Sequence, residues 1–120
     1  MKKQLRSFKY ALEGIVLILK SQPNMWIHIA VAVLTLISSI YFRITTTEWL
    51  FVIVAIGSVI ASEAFNTSIE KLTDLVSPQK NELAKATKDT AAAAVLLSSI
   101  FAVIIGILIF GPYLLELLNI

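Results

Sequence analysis

Four side chains able to do chemistry recur at helical spacing in the middle of the chain. They are Glu63, Asn66, Glu70 and Asp74. At about 100° per residue on an α-helix, all four fall within an arc of about 80°. The spacing therefore predicts one polar helix face that carries three carboxylates and an amide.

The position of Glu63 sets this face at the edge of a membrane. It follows an uncharged, largely apolar run, residues 49–62, so its carboxylate should lie near the membrane boundary. Burying a carboxylate in hydrocarbon costs about 3 kcal/mol or more, and ionisable residues there usually mark a functional path. Glu70 and Asp74 would lie progressively further toward the cytoplasm. A row of carboxylates from the membrane boundary to the cytoplasm suits a reaction between a lipid and a water-soluble anion. A divalent metal bound by the carboxylates would offset their repulsion of phosphate groups.

Lys88 and Asp89 form a second polar pair, just before a third apolar run. A lysine at the cytoplasmic start of a helix can contact a transferred phosphate. Asp89 there can equally be an acid that complements the positive N-terminal end of the helix dipole. From the residues alone, both interpretations of Asp89 stay open.

The elements that must position these residues are membrane helices. Of the 120 residues, 58% are hydrophobic and 15% charged, whereas soluble domains are about half apolar and a quarter charged. The apolar runs predict membrane helices at about 25–42, 49–75 and 88–115, preceded by an amphipathic surface helix at 5–20. We therefore expect a single all-α, integral membrane domain over residues 1–120. Gly111-Pro112 is expected to stop or kink the last helix.

The distribution of basic residues predicts the topology. They concentrate in the N-terminal segment and in the loop between the second and third membrane helices, which places both on the cytoplasmic side. These residues are Lys2, Lys3, Arg6, Lys9 and Lys20, then Lys71, Lys80, Lys85 and Lys88. No cleavage site follows the first apolar stretch, so no removable signal peptide is expected. The chain has no cysteine, which excludes disulfides, thiolate zinc sites and cysteine nucleophiles.

The run Glu63-Ala-Phe-Asn-Thr-Ser-Ile-Glu-Lys-Leu-Thr-Asp74, followed by Ala84-Lys-Ala-Thr-Lys-Asp89 and an alanine-rich helix, resembles a family signature. The family is the prokaryotic diacylglycerol kinase / undecaprenol kinase family, and the resemblance extends from Phe8 onward. It implies a multi-pass protein of the bacterial inner membrane that forms a homotrimer. It also implies phosphoryl transfer from ATP, with Mg²⁺, to a membrane lipid alcohol, and no nucleic-acid partner.

The resemblance assigns a role to each polar residue. It makes Glu63 the general base for the lipid hydroxyl, Asn66 the residue that positions this base, and Glu70 a metal ligand. It makes Lys88 the phosphate-contacting lysine and Asp89 the adjacent acid of the nucleotide site. Tyr10 and Asp74 would lie near the nucleotide.

Three positions on the N-terminal side depart from the family pattern or vary within it. Gln22 stands where the family commonly has a second metal-binding glutamate. The Gln22 side-chain carbonyl can coordinate a metal but adds no negative charge. Gln22 can also be a plain loop residue. Trp26 departs from the basic residue frequent in relatives. His28 agrees with some branches of the family, and we expect its side chain to extend toward the membrane interface.

The sequence also allows other functions. The chain has no glycine-rich phosphate loop, so a nucleotide must be held by side chains of several helices, contributed by two protomers. One alternative is a non-enzymatic membrane subunit that uses the same carboxylates for proton conduction or as a scaffold. Another is a catalytically weak family member, because of Gln22. The lipid alcohol also stays open between diacylglycerol and undecaprenol; the short N-terminus and the Ser77-Pro78 turn favour undecaprenol.

Overall fold

A computed structural model describes all 120 residues as four α-helices without any strand. The helices are α1 (Lys2–Ser21), α2 (Pro23–Phe42), α3 (Thr46–Val76) and α4 (Glu82–Leu117). Helices α2, α3 and α4 are long and apolar enough to cross a membrane. Only 12 of the 120 residues are buried, so most of the apolar surface needs lipid or another chain to cover it. The chain is therefore an all-α membrane protein with three membrane helices and a preceding helix, as predicted.

Helix α1 is amphipathic and buries none of its residues, which agrees with a helix lying on a membrane surface. A single extended residue, Gln22, separates it from α2, which Pro23 opens. Proline suits the first helical position because its missing N–H would have no helical partner there. The Trp26 indole nitrogen donates a 2.8 Å hydrogen bond to the Leu19 carbonyl. This bond satisfies one of the free carbonyls at the end of α1 and ties it to α2.

The turn between α2 and α3 is short and well capped. Arg43 ends α2 in the left-handed region, with φ 52° and ψ 50°. Thr45 and Glu48 then form a capping box: the Glu48 N–H donates to Thr45 Oγ1 at 3.2 Å, and the Thr45 N–H donates to Glu48 Oε2 at 2.8 Å. This geometry fixes α2 and α3 as an antiparallel hairpin.

Helices α3 and α4 form the main helix pair of the chain. Three polar contacts follow one antiparallel register: Asp74 with Lys88, Ser62 with Ser98 at 2.8 Å, and Glu48 with Tyr113 at 2.7 Å. This register sets the buried Ala91 level with Glu70. Small residues at such a level allow close approach of membrane helices.

Helix α4 begins before its predicted start at about residue 88 and ends close to its predicted end at about residue 115. It begins at Glu82, where Asn81 Oδ1 accepts a 2.7 Å hydrogen bond from the Ala84 N–H as a side-chain cap. Of the stop or kink expected at Gly111-Pro112, the stop is wrong, because the helix continues through Pro112 to Leu117. Neighbouring elements let a membrane helix tolerate an internal proline. Here the next residue, Tyr113, is anchored by its bond to Glu48 and by stacking on Phe42 at 5.5 Å.

Candidate functional site

The polar residues of α3 form a gradient of burial along the helix. Glu63 is 2% exposed and Asn66 is 7% exposed. Glu70 is half-buried, and the Asp74 side chain is 63% exposed. The row thus begins in the packed part of the chain and ends at an open surface, which is where a water-soluble reactant could meet a buried one.

The Glu63 carboxylate is buried with few polar contacts to offset its loss of solvent. Neither of its oxygens accepts a hydrogen bond, and Oε1 has no polar partner at all. The only basic side chain within ion-pair distance is His28 of α2, whose Nε2 lies 3.6 Å from Oε2. A buried acceptor without a donor typically costs about 1–3 kcal/mol. Groups left this way in a folded protein need an explanation, and a missing ligand is one.

Asn66 links Glu63 to the more exposed part of the row. It lies about one turn along α3, and its Nδ2 donates a 3.3 Å hydrogen bond to Glu70 Oε1. Its own Oδ1 is buried without a donor, like Glu63 Oε1. Two unpaired acceptors on consecutive turns therefore mark one place where hydroxyl or water donors would be bound.

Lys88 supplies a positive charge at the open end of the row. Its Nζ lies 2.5 Å from Asp74 Oδ1, so that α4 and α3 are joined by an ion pair. Both side chains keep substantial exposure, 40% for Lys88 and 63% for Asp74. An exposed ion pair of this kind is weak, so Lys88 can exchange Asp74 for another anion.

The structure does not bring the remaining predicted residues into this row. Asp89 pairs instead with Lys85 on the exposed surface of α4. It also lies about two turns into the helix, beyond the first turn where a dipole effect acts, and the acid there is Glu82. Tyr10 is 61% exposed, and neither its hydroxyl nor the half-buried Gln22 side chain makes a hydrogen bond.

The metal-binding capacity of a single chain is limited. No group of three or more His, Cys, Asp or Glu side chains is arranged to hold a metal ion. Mg²⁺ is usually bound through only one or two carboxylates together with substrate phosphates and water. Glu70, half-buried and orientated by Asn66, fits that smaller requirement.

His28 differs from its expected position at the membrane interface. Its side chain lies against Glu63 and is only 19% exposed. The topology contains a signal for this contact, because His28 lies 14 residues before the end of α2 at Phe42 and Glu63 lies 17 residues after the start of α3 at Thr46. In an antiparallel hairpin, these two positions are within about one helical turn of the same membrane depth.

An apolar cavity extends from His28 away from the carboxylate row. It has a volume of about 370 Å³ and lies between α2, α3 and α4. Its α3 wall runs from Ile60 back to Val52, and its α4 wall runs from Ser99 to Phe110. At a rise of about 1.5 Å per residue, the cavity is roughly 10–16 Å long. It begins beside Glu63 and continues into the membrane-spanning part of the chain.

Comparison with known proteins identifies the family of the chain. The family model for prokaryotic diacylglycerol kinase matches residues 9–110. An undecaprenol kinase of Bacillus subtilis is 37% identical over 109 residues, which cover 91% of this chain and 89% of that protein. A diacylglycerol kinase of Synechocystis is 39% identical over 119 residues, which cover 95% of this chain and 66% of that protein. The chain therefore belongs to the prokaryotic diacylglycerol kinase family and is a lipid kinase.

Proposed function

We propose that this protein transfers the γ-phosphoryl group of ATP to the hydroxyl of a membrane lipid alcohol, with undecaprenol as the preferred acceptor. The observation that supports this most directly is the buried Glu63 carboxylate with one unpaired oxygen. A lipid hydroxyl that enters from the membrane would donate the hydrogen bond that Oε1 lacks. The same contact makes Glu63 a general base, since the donated proton is the one that must leave.

Phosphoryl transfer then proceeds at the junction of the buried and exposed parts of the row. Glu63 accepts the hydroxyl proton as the lipid oxygen attacks the γ-phosphorus of ATP, and the bond from that phosphorus to the β,γ-bridging oxygen breaks to release ADP. Asn66 holds Glu70 through its Nδ2 and lies between the base and the metal-binding carboxylate, which are about two turns apart on α3. Lys88 exchanges Asp74 for the phosphate oxygens and stabilises the charge that develops on them.

Glu70 is the proposed ligand of Mg²⁺, with the Gln22 carbonyl as a second one. Bound Mg²⁺ supplies charge neutralisation on the transferred phosphate oxygens. The nucleotide lies toward the cytoplasmic end of the row, where Asp74 is already exposed. Tyr10 and Asp89 belong to its binding site. Tyr10 is exposed on α1, and Asp89 is exposed on α4 in an ion pair with Lys85. Another copy of the chain therefore has to approach for these two residues to share a nucleotide with the α3 row.

The assembly is accordingly a homotrimer in the bacterial inner membrane. The small number of buried residues and the exposed apolar faces of α2 to α4 support association. The basic N-terminal segment and the basic loop after α3 support a cytoplasmic location for the carboxylate row, where ATP is available.

The choice of undecaprenol depends on the cavity and on the relative of similar length. The hydrocarbon chain of the acceptor lies in the cavity that starts at His28, with its hydroxyl at Glu63. The cavity is apolar and has a volume of about 370 Å³, which suits part of one hydrocarbon chain better than two acyl chains on a glycerol. The undecaprenol kinase of Bacillus subtilis also matches this chain over most of both lengths. Diacylglycerol is the second candidate, because the Synechocystis relative bears that name.

The test is phosphoryl transfer from γ-labelled ATP to each lipid by the purified full chain in lipid nanodiscs with Mg²⁺. Undecaprenol should be labelled faster than diacylglycerol, and nanodiscs without either alcohol should give no labelled lipid. Faster labelling of diacylglycerol would reverse the assignment of the acceptor. Labelling of neither lipid would contradict the proposed reaction as a whole.

A further inference from the structure

His28 and Glu63 form the only contact between ionisable side chains of α2 and α3. The two residues come from different helices, and Nε2 of the imidazole lies 3.6 Å from Oε2 of the carboxylate. Both side chains are shielded, at 19% and 2% exposure. The other carboxylate oxygen, Oε1, has no partner. The two oxygens of Glu63 are thus distinguished by their surroundings: one faces the imidazole, and the other is free.

We propose that His28 is a positioning residue for Glu63, and this proposal rests on the proposed function of Glu63 as the base. The imidazole Nε2–H donates to Oε2 and so directs Oε1 toward the lipid hydroxyl. A separation of 3.6 Å is slightly beyond a hydrogen bond. Catalytic hydrogen bonds are often long without substrate and shorten when it binds. His28 itself accepts no proton in this scheme; the proton of the lipid hydroxyl goes to Oε1 of Glu63.

His28 lies at the end of the cavity that is next to Glu63, so one side chain connects the cavity with the proposed base. The imidazole lines the apolar cavity as well as facing Glu63. A lipid chain that fills the cavity would therefore pack against the ring and press it toward the carboxylate. In such a poorly solvated place, a hydrogen bond to a charged acceptor is stronger than in water. Occupation of the cavity and alignment of the base are thereby coupled through one side chain.

The test replaces His28 and separates turnover from nucleotide binding. His28→Phe keeps a planar ring but removes the donor, and kcat should fall about 10- to 100-fold, as expected for a lost hydrogen bond to a charged group. The KM for ATP should stay within about twofold of the unaltered chain. His28→Gln places an amide N–H near the position of Nε2 and should restore most of kcat. His28→Asn places its amide nearer the position of Nδ1 and should not. Ser38→Ala, on the same helix, is the matched control and should leave kcat unchanged.

Each outcome decides the proposal. Full kcat in His28→Phe would overturn it, and so would equal activity of the Gln and Asn variants. Should His28→Phe fail to fold, the difference between the Gln and Asn variants still decides, because both keep a polar side chain. The unaltered chain is assayed in parallel. If it phosphorylates no lipid, the proposed function fails; if it is active while the His28 variants match it, only the positioning role fails.

Discussion

Replacing Glu63 by glutamine should abolish turnover while making the protein more stable. The amide has nearly the shape of the carboxylate but cannot accept the hydroxyl proton at a useful rate. General base catalysis contributes typically about 10²–10⁴-fold, so kcat should fall by at least about 100-fold. In the proposed site, ATP is bound by residues further along α3 and on α4, so the KM for ATP should change little.

The gain in stability follows from the surroundings of the side chain. Glu63 is 2% exposed, accepts no hydrogen bond and has one wholly unpaired oxygen. The side chain that offsets its burial is His28, whose Nε2 lies 3.6 Å from Glu63 Oε2. An unsatisfied buried acceptor costs about 1–3 kcal/mol, and more when it carries charge. Glu63→Gln removes the charge, so the free energy of unfolding should rise by about 1–3 kcal/mol.

The assay pairs phosphoryl transfer with thermal unfolding of the same nanodisc preparation. Glu13→Gln is the matched control, since Glu13 lies exposed on α1 and pairs only with Lys9; both kcat and Tm should stay unchanged. If Glu63→Gln lost activity and stability together, the carboxylate would be a structural group. If it kept more than a tenth of wild-type kcat, Glu63 would not be the base.

Four further variants test the other parts of the site and of the fold. Lys88→Met should raise the KM for ATP and lower kcat at least tenfold. Asp74→Asn, which releases Lys88 and removes one charge near the proposed nucleotide site, should lower kcat by a few-fold at most. Steady-state kinetics separate the two, and equal losses would contradict a phosphate role for Lys88. Gln22→Glu should lower the Mg²⁺ concentration that gives half-maximal activity, because a carboxylate adds negative charge to the proposed ligand set. Metal titration of the activity measures this concentration, and an unchanged value would remove Gln22 from the ligand set. Tyr113→Phe loses the bond to Glu48 at the opposite end of the helices and should lower the Tm with kcat unchanged; an unaltered Tm would mean that this bond does not hold α4.

The membrane architecture could be predicted because it depends on local composition. Runs of apolar residues longer than a bilayer span leave only a helix as a possible structure, and the breaks at Gln22-Pro23 and around Arg43 end helices by local backbone geometry. The ends of α4 were harder to predict. Its start depends on the Asn81 cap, and its passage through Pro112 depends on contacts of Tyr113 with residues far away in the sequence.

The site could be predicted only as far as one helix determines it. The spacing from Glu63 to Asp74 fixes their order on α3 wherever the other helices lie. The contacts between helices could not be obtained in this way. The Asp74–Lys88 ion pair needs the α3–α4 register, and the place of His28 against Glu63 needs the α2–α3 hairpin. Charge patterns alone gave no reason to prefer Lys85 over the nucleotide as the partner of Asp89.

A single chain holds the buried half of the proposed site more completely than the exposed half. At the buried end, Glu63, His28 and the apolar cavity already lie together and can accommodate a lipid alcohol. At the exposed end, Glu70 and Lys88 are present, but Tyr10 lies exposed on α1, Asp89 pairs with Lys85 on α4, and no three-residue metal cluster exists. In the proposed reaction, one chain can therefore bind the lipid, whereas the nucleotide and its metal would need groups that one chain leaves apart. This asymmetry is what the proposed homotrimer would resolve, since a neighbouring copy can bring its own polar residues to the open end of the α3 row.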